Sequence, residues 1–138
     1  MSDFFLHIPE LDLLECLIWG EARGESLDGR SAVAWVVRNR LVDPRWPNTW
    51  QSVILQPKQF SCFNPGDPNL DKMVVRYRLR RVDMVWKSCR LIAFGVMHDW
   101  IPDNSRGANH YCHVDIVPRW AEGVEPIIRI GYHKFYRL

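Results

Sequence analysis

The stretch Leu14-Glu15-Cys16-Leu17-Ile18-Trp19-Gly20-Glu21-Ala22-Arg23-Gly24-Glu25 decides how this chain is read. It closes a helix-patterned run that begins at Pro9. Leu14, Leu17, Ile18 and Glu21 stand at i, i+3, i+4 and i+7, so one stripe carries three apolar side chains and then a carboxylate. Gly20 and Gly24 predict that the helix ends about here. A core-facing carboxyl group at a helix C-terminus meets the negative end of the macrodipole and loses water, and both effects disfavour the anion. That is how a glutamic acid becomes a general acid near neutral pH. Taken alone, a Glu in such a place is more often a solvated helix-end residue, here paired with Arg23. The rest of the chain has to move that balance.

Working outward, Ser26 reads as an N-cap and Asp28 suits the positive end of a second helix from Leu27 to Leu41, with Val33, Val36, Val37 and Leu41 on one face. Two prolines in four residues make Asp43-Pro44-Arg45-Trp46-Pro47-Asn48 a loop. Thr49 caps a short helix reaching Leu55. Residues 56–68 form a long polar loop carrying Phe60 and Phe63, and long loops in compact domains are usually functional. Residues 69–80 and 81–95 read as two further helices. Beyond them, residues 126–136 are rich in β-branched and aromatic residues and read as a strand, and residues 108–113 as a short strand that pairs with it antiparallel. The expectation is one domain over residues 1–138, an α+β fold that is predominantly helical with a small antiparallel β element.

Composition bounds the function. A length of 138 residues, 47% hydrophobic and 25% charged, suits one globular domain with a real core. Lys+Arg 18 against Asp+Glu 16 is too balanced to point to nucleic acid. No apolar run approaches a membrane span, so stable membrane insertion is not expected. Met1-Ser2-Asp3-Phe4-Phe5 lacks a basic region followed by a long apolar run, which predicts synthesis in the cytoplasm without a signal peptide. Cys16, Cys62, Cys89 and Cys112 show no CxxC spacing, and Cys16 and Cys89 fall in helices as small buried residues. A monomer is expected.

Polar and aromatic groups gather in three places: Gln59-Phe60-Ser61, His110-Tyr111, and Trp120 with His133. Sugar rings present CH faces to flat aromatics and hydroxyls to amides, so these residues suit a saccharide cleft, although any surface loop can carry such a mixture. His110, Cys112 and His133 raise a zinc site, and with it an amidase. His110 and His113 lie on opposite faces of a strand, and neither HExxH nor paired CxxC is present, so no metal or cofactor is expected. Arg76, Arg78, Arg80 and Arg81 read mostly as a solvated face that attracts anionic envelope polymers.

The segment from Leu17 to Ser26, followed by Gly29-Arg30-Ser31-Ala32-Val33-Ala34-Trp35-Val36-Val37-Arg38-Asn39-Arg40, resembles the core motif of SleB-type cell wall hydrolases, the spore cortex-lytic enzymes and their phage relatives. Pro44 to Thr49, Gln56 to Ser61, Gly107-Ala108-Asn109-His110-Tyr111 and Ile130 to Tyr136 resemble that family's later segments in order. The likeness runs from Leu11 to Tyr136. It implies a lysozyme-like domain that cuts the glycan strand of peptidoglycan after N-acetylmuramic acid, with Glu21 as the acid and then the base of a lytic transglycosylase. Gln59, Phe60, Ser61, His110, Tyr111, Trp120 and His133 are the expected cleft residues. Arg23 and Glu25 are expected behind them, with Glu25 orienting Arg23 or capping the next helix. Asp28 is the nearest candidate for a second carboxylate, which a hydrolysing muramidase needs. Asn109 departs from the family's usual Thr, and Cys112 and His113 also depart from its pattern. With neither a signal peptide nor an added peptidoglycan-binding segment in the sequence, a compact phage-type endolysin is expected. The rival readings are the muramidase, the zinc amidase and a non-catalytic envelope-binding phage protein.

Overall fold

Ser26 and Thr49 cap as the sequence predicts: the Ser26 hydroxyl accepts from the Gly29 N–H and the Thr49 hydroxyl from the Ser52 N–H. The structure, a computed structural model, describes residues 3–138, so Met1 and Ser2 of the signal-peptide reading lie outside the described residues. In chain order the helices are α1 (Glu10–Ala22), α2 (Leu27–Leu41), α3 (Trp50–Ile54), α4 (Pro68–Tyr77) and α5 (Met84–Met97). The strands β1 (His110–His113), β2 (Ile128–Ile130) and β3 (His133–Tyr136) form an antiparallel sheet in the order β1-β3-β2. Among the described residues no helix is long and apolar enough to cross a membrane.

Helix α1 is the axle. It is buried on every side from Asp12 to Gly20 and packs against α2, α3, α4 and α5. Trp19 stacks on Trp86 of α5 with ring centroids 4.6 Å apart. Burying all faces of α1 also buries Asp12 and Glu15. Arg90 reaches both, at 3.0 Å each, while the Tyr77 hydroxyl and Arg80 meet Asp12 at 2.5 and 3.2 Å. These partners replace the water that the carboxylates lose.

Four sequence expectations change. Gly20 does not end α1; it lies inside the helix because a Cβ there would sit 2.8 Å from both Cβ and Sγ of Cys62. Residues 81–95 do not form a helix from the start: Arg80–Val82 is a 3-10 turn, and Asp83 caps α5 through the N–H groups of Val85 and Trp86. Arg80 is not on a solvated face. Its guanidinium lies 3.7 Å from the centre of the Tyr77 ring and its side chain is only 14% exposed, while Arg76, Arg78 and Arg81 face solvent. Finally, residues 126–136 are two strands, β2 and β3. Gly131 takes φ +57° in the two-residue connection, a conformation that suits glycine at a tight hairpin.

The Gly20 contact makes a prediction. Gly20→Ala forces a methyl group against the Cys62 Cβ, which backbone holds in place, and is expected to cost about 1–3 kcal/mol in urea unfolding. Full stability in that variant would mean that the Cys62 turn moves away freely.

Candidate active site

The end of α1 delivers Glu21 to the edge of a groove of about 510 Å³. Close packing of Cys62 over Gly20 fixes the 3-10 turn Ser61–Phe63, and that turn aims two donors at the carboxylate. The Cys62 N–H donates to Glu21 Oε1 at 2.9 Å and the Ser61 hydroxyl to the same oxygen at 3.3 Å. The Tyr111 hydroxyl, from β1, donates to Oε2 at 2.9 Å. Burial, and then the neighbouring Glu21 charge, pushes the Tyr111 phenol well above its ordinary range, so it keeps its proton as a donor. The sequence predicts that Glu21 loses water at the core-facing end of α1; it is half-buried there, and three donors meet its carboxylate.

Gln59, Phe60, Ser61, His110, Tyr111, Trp120 and His133 all line this groove with Glu21. Glu21 is the one carboxylate among the described lining residues. Sequence reasoning missed Arg40. It is buried at 4% exposure and held between the rings of Trp46 and Phe60, with its Cζ 5.3 Å from each centroid. Its Nε donates to the Asn109 carbonyl at 2.7 Å and its Nη1 to Gln59 Oε1 at 3.1 Å, so Gln59 is oriented from below. Lys58 was also missed; it enters the groove wall with φ +63°.

Asn109 points away from the substrate side. Its Oδ1 accepts from the Leu138 N–H and its Nδ2 donates to the Leu138 carbonyl, both at 2.9 Å, which fixes the orientation of the amide. His110 Nδ1 lies 2.8 Å from that Oδ1 and therefore carries the hydrogen, leaving Nε2 as an acceptor. Burial, with Arg40 and Arg45 nearby, lowers the His110 pKa to about 4, so the ring is neutral at physiological pH. Trp120 leans on it with centroids 4.8 Å apart.

The residues expected behind the cleft are arranged differently. Arg23 lies outside the groove, over the Trp19 ring at 4.3 Å, and donates to Asn69 Oδ1 at 2.7 Å. Glu25 does not orient Arg23. It reaches the hairpin, accepting from the Tyr132 N–H at 2.9 Å with its Oε1 3.2 Å from His133 Nδ1. Asp28 is exposed on the first turn of α2 and does not line the groove.

The zinc donors do not converge. His133 pairs with His113 across the sheet, which places it on the face of Tyr111, opposite His110 and Cys112. Among the described residues no group of three or more His, Cys, Asp or Glu is placed to hold a metal ion.

A helical body around one buried helix, a small antiparallel sheet and a groove whose described lining holds one carboxylate make this an α+β domain with an acid in its cleft. The chain belongs to the Cell Wall Hydrolase family, whose model matches residues 24–136 and so begins just after Glu21. Over 127 residues, 91% of the chain, it is 30% identical to the spore cortex-lytic enzyme of Bacillus subtilis (strain 168). The chain spans 37% of that relative's length. It is also 39% identical over 57 residues, 41% of the chain, to the spore cortex-lytic enzyme of Oceanobacillus iheyensis, spanning 21% of it. Two solved structures share the fold at 24% identity, each over 93% of this chain. They are the catalytic domain of the Bacillus cereus SleB protein (TM-score 0.71, 89% of that chain) and that of the germination-specific lytic transglycosylase SleB from Bacillus anthracis (TM-score 0.72, 93%).

Proposed function

We propose that this domain cleaves the glycan strand of peptidoglycan between N-acetylmuramic acid and N-acetylglucosamine as a lytic transglycosylase. The observation that carries the reading is a lone carboxylate, Glu21, held by three donors in a groove walled with aromatics and amides. Glu21 protonates the glycosidic oxygen as the C1–O bond breaks, and the Cys62 N–H, Ser61 and Tyr111 stabilise the carboxylate left behind. The C6 hydroxyl of the muramic acid then attacks C1 and loses its proton, closing a 1,6-anhydro ring. In the single-carboxylate account Glu21 takes that proton and is reset. We extend the proposal to an endolysin that acts on the wall after release from the cell that makes it.

Mass spectrometry of fragments released from purified peptidoglycan tests this. Expected are fragments ending in anhydro-muramic acid. Reducing-end muramic acid would replace the transglycosylase with a muramidase, and intact glycan with stripped peptides would replace it with an amidase.

A further inference from the structure

We propose that His133, held by Glu25, is a second catalytic residue of the groove: it takes the proton of the attacking hydroxyl while Glu21 serves the leaving oxygen. This rests on the glycan-cleaving reading above and divides its two proton transfers between two groups.

The geometry begins with burial. His133 is 8% exposed, yet it lines the groove beside Tyr111, with ring centroids 5.0 Å apart. Its Nδ1 is sealed from solvent and makes no aligned hydrogen bond, although Glu25 Oε1 stands 3.2 Å away. A ring that lines the groove with Nδ1 sealed meets it through the Nε2 side. The carboxylate beside Nδ1 selects the tautomer with hydrogen on Nδ1 and the lone pair on Nε2. Catalytic contacts of this kind are often poorly aligned until substrate binds. Glu25 is itself anchored by the Tyr132 N–H at 2.9 Å, and Gly131 permits the approach, since a Cβ there would lie 3.0 Å from Glu25 Oε1. Tyr111 links this dyad to Glu21, with its ring 5.0 Å from His133 and its hydroxyl donating to Glu21 Oε2 at 2.9 Å.

The groups around His133 decide its charge. Burial and His113 disfavour the imidazolium, whereas Glu25 and Glu21 favour it, and Tyr111 is an uncharged neighbour. Burial is the largest effect and the pKa falls below the ordinary histidine value, so the ring is neutral near pH 7 with its lone pair free. In the reaction the oxygen of the attacking hydroxyl bonds to C1 and its proton passes to Nε2. Glu21 gives its proton to the departing oxygen. The imidazolium then releases its proton to solvent and Glu21 regains one, so the cycle balances.

The test is the pH profile of kcat/KM on purified glycan strands for wild type, His133→Gln and Glu25→Gln, with unfolding midpoints measured alongside. His133→Gln is expected to lower kcat about 100-fold with KM little changed, and to remove the ionisation that limits wild type on the acid side. Glu25→Gln, which keeps an acceptor for the Tyr132 N–H, withdraws a charge that favours the imidazolium, so its acid limb moves to lower pH. An acid limb unmoved in Glu25→Gln, or near-wild-type turnover in His133→Gln, overturns the dyad. If Glu21→Gln is inactive while His133→Gln is fully active, only the dyad fails. A wild type that releases no cut glycan sinks the glycan-cleaving reading itself.

Discussion

Glu21→Gln is expected to lower turnover on purified glycan strands by about 10³-fold or more, while the fold survives. Loss of a positioned general acid accounts for about 10²–10⁴ in rate. Withdrawing the carboxylate that Cys62, Ser61 and Tyr111 stabilise removes electrostatic catalysis as well. Gln retains a carbonyl oxygen for the Cys62 N–H, and the Tyr111 hydroxyl can rotate to accept from the new amide, so stability is expected to change by no more than about 1 kcal/mol. The pair of measurements is turnover from released fragments and the thermal midpoint. A variant keeping a tenth of wild-type turnover would remove Glu21 from proton transfer.

The second large effect is on stability. Asp12→Asn is expected to cost about 3 kcal/mol at pH 7, the lower end of what breaking a buried ion pair costs. Arg80, 14% exposed, loses its closest partner, whereas Arg90 retains Glu15 at 3.0 Å. The pH dependence identifies the cause. Burial raises the Asp12 pKa, but the Tyr77 hydroxyl, Arg90 and Arg80 outweigh it and hold the group below its ordinary value. Its stabilisation is therefore complete above the unfolded pKa of about 3.9 and is lost as pH falls through the lower folded value. Glu15 has the opposite sign. Burial, more than its arginines can offset, raises its pKa, so its contribution is present below the unfolded value and is lost as pH rises through the folded one. Urea unfolding of wild type and Asp12→Asn at neutral pH and near pH 3 should show the difference shrinking in acid. A difference independent of pH would mean that the Asn side chain disturbs packing rather than charge.

What could be read in advance divides along the range of each interaction. Ser26, Thr49 and the 3.6-residue stripe ending at Glu21 are local, because the cap or the helical period is written within a few neighbours. Gly20 reads locally as a helix breaker, and only its contact with Cys62, far along the chain, gives its real purpose. Arg80 falls in a run of arginines, and nothing nearby says that Asp12 turns it inward. Arg40 looks like one more basic residue on a helix until Trp46, Phe60 and Asn109 close around it. Glu25 stands two residues from Arg23 in sequence, whereas its partners lie in the β2–β3 hairpin. That hairpin was missed because β-type residues continue through it, and Gly131 was its one local sign. The cleft residues were gathered by motif resemblance and by residue chemistry; the groove brings all of them together with Glu21.

Glu21 also joins two bodies of unlike stiffness. On one side is the sheet, where β3 is bonded along both flanks and Tyr111 stands on the strand beside it. On the other is the irregular segment 56–64, held by turns and the Cys62 packing. The carboxylate accepts from both, so it ties these two walls of the groove together. A protonated carboxyl group has less acceptor capacity than a carboxylate. Protonating Glu21 therefore loosens the tie between the two, and losing the proton tightens it. One side chain thus couples the order of segment 56–64 to that of the sheet.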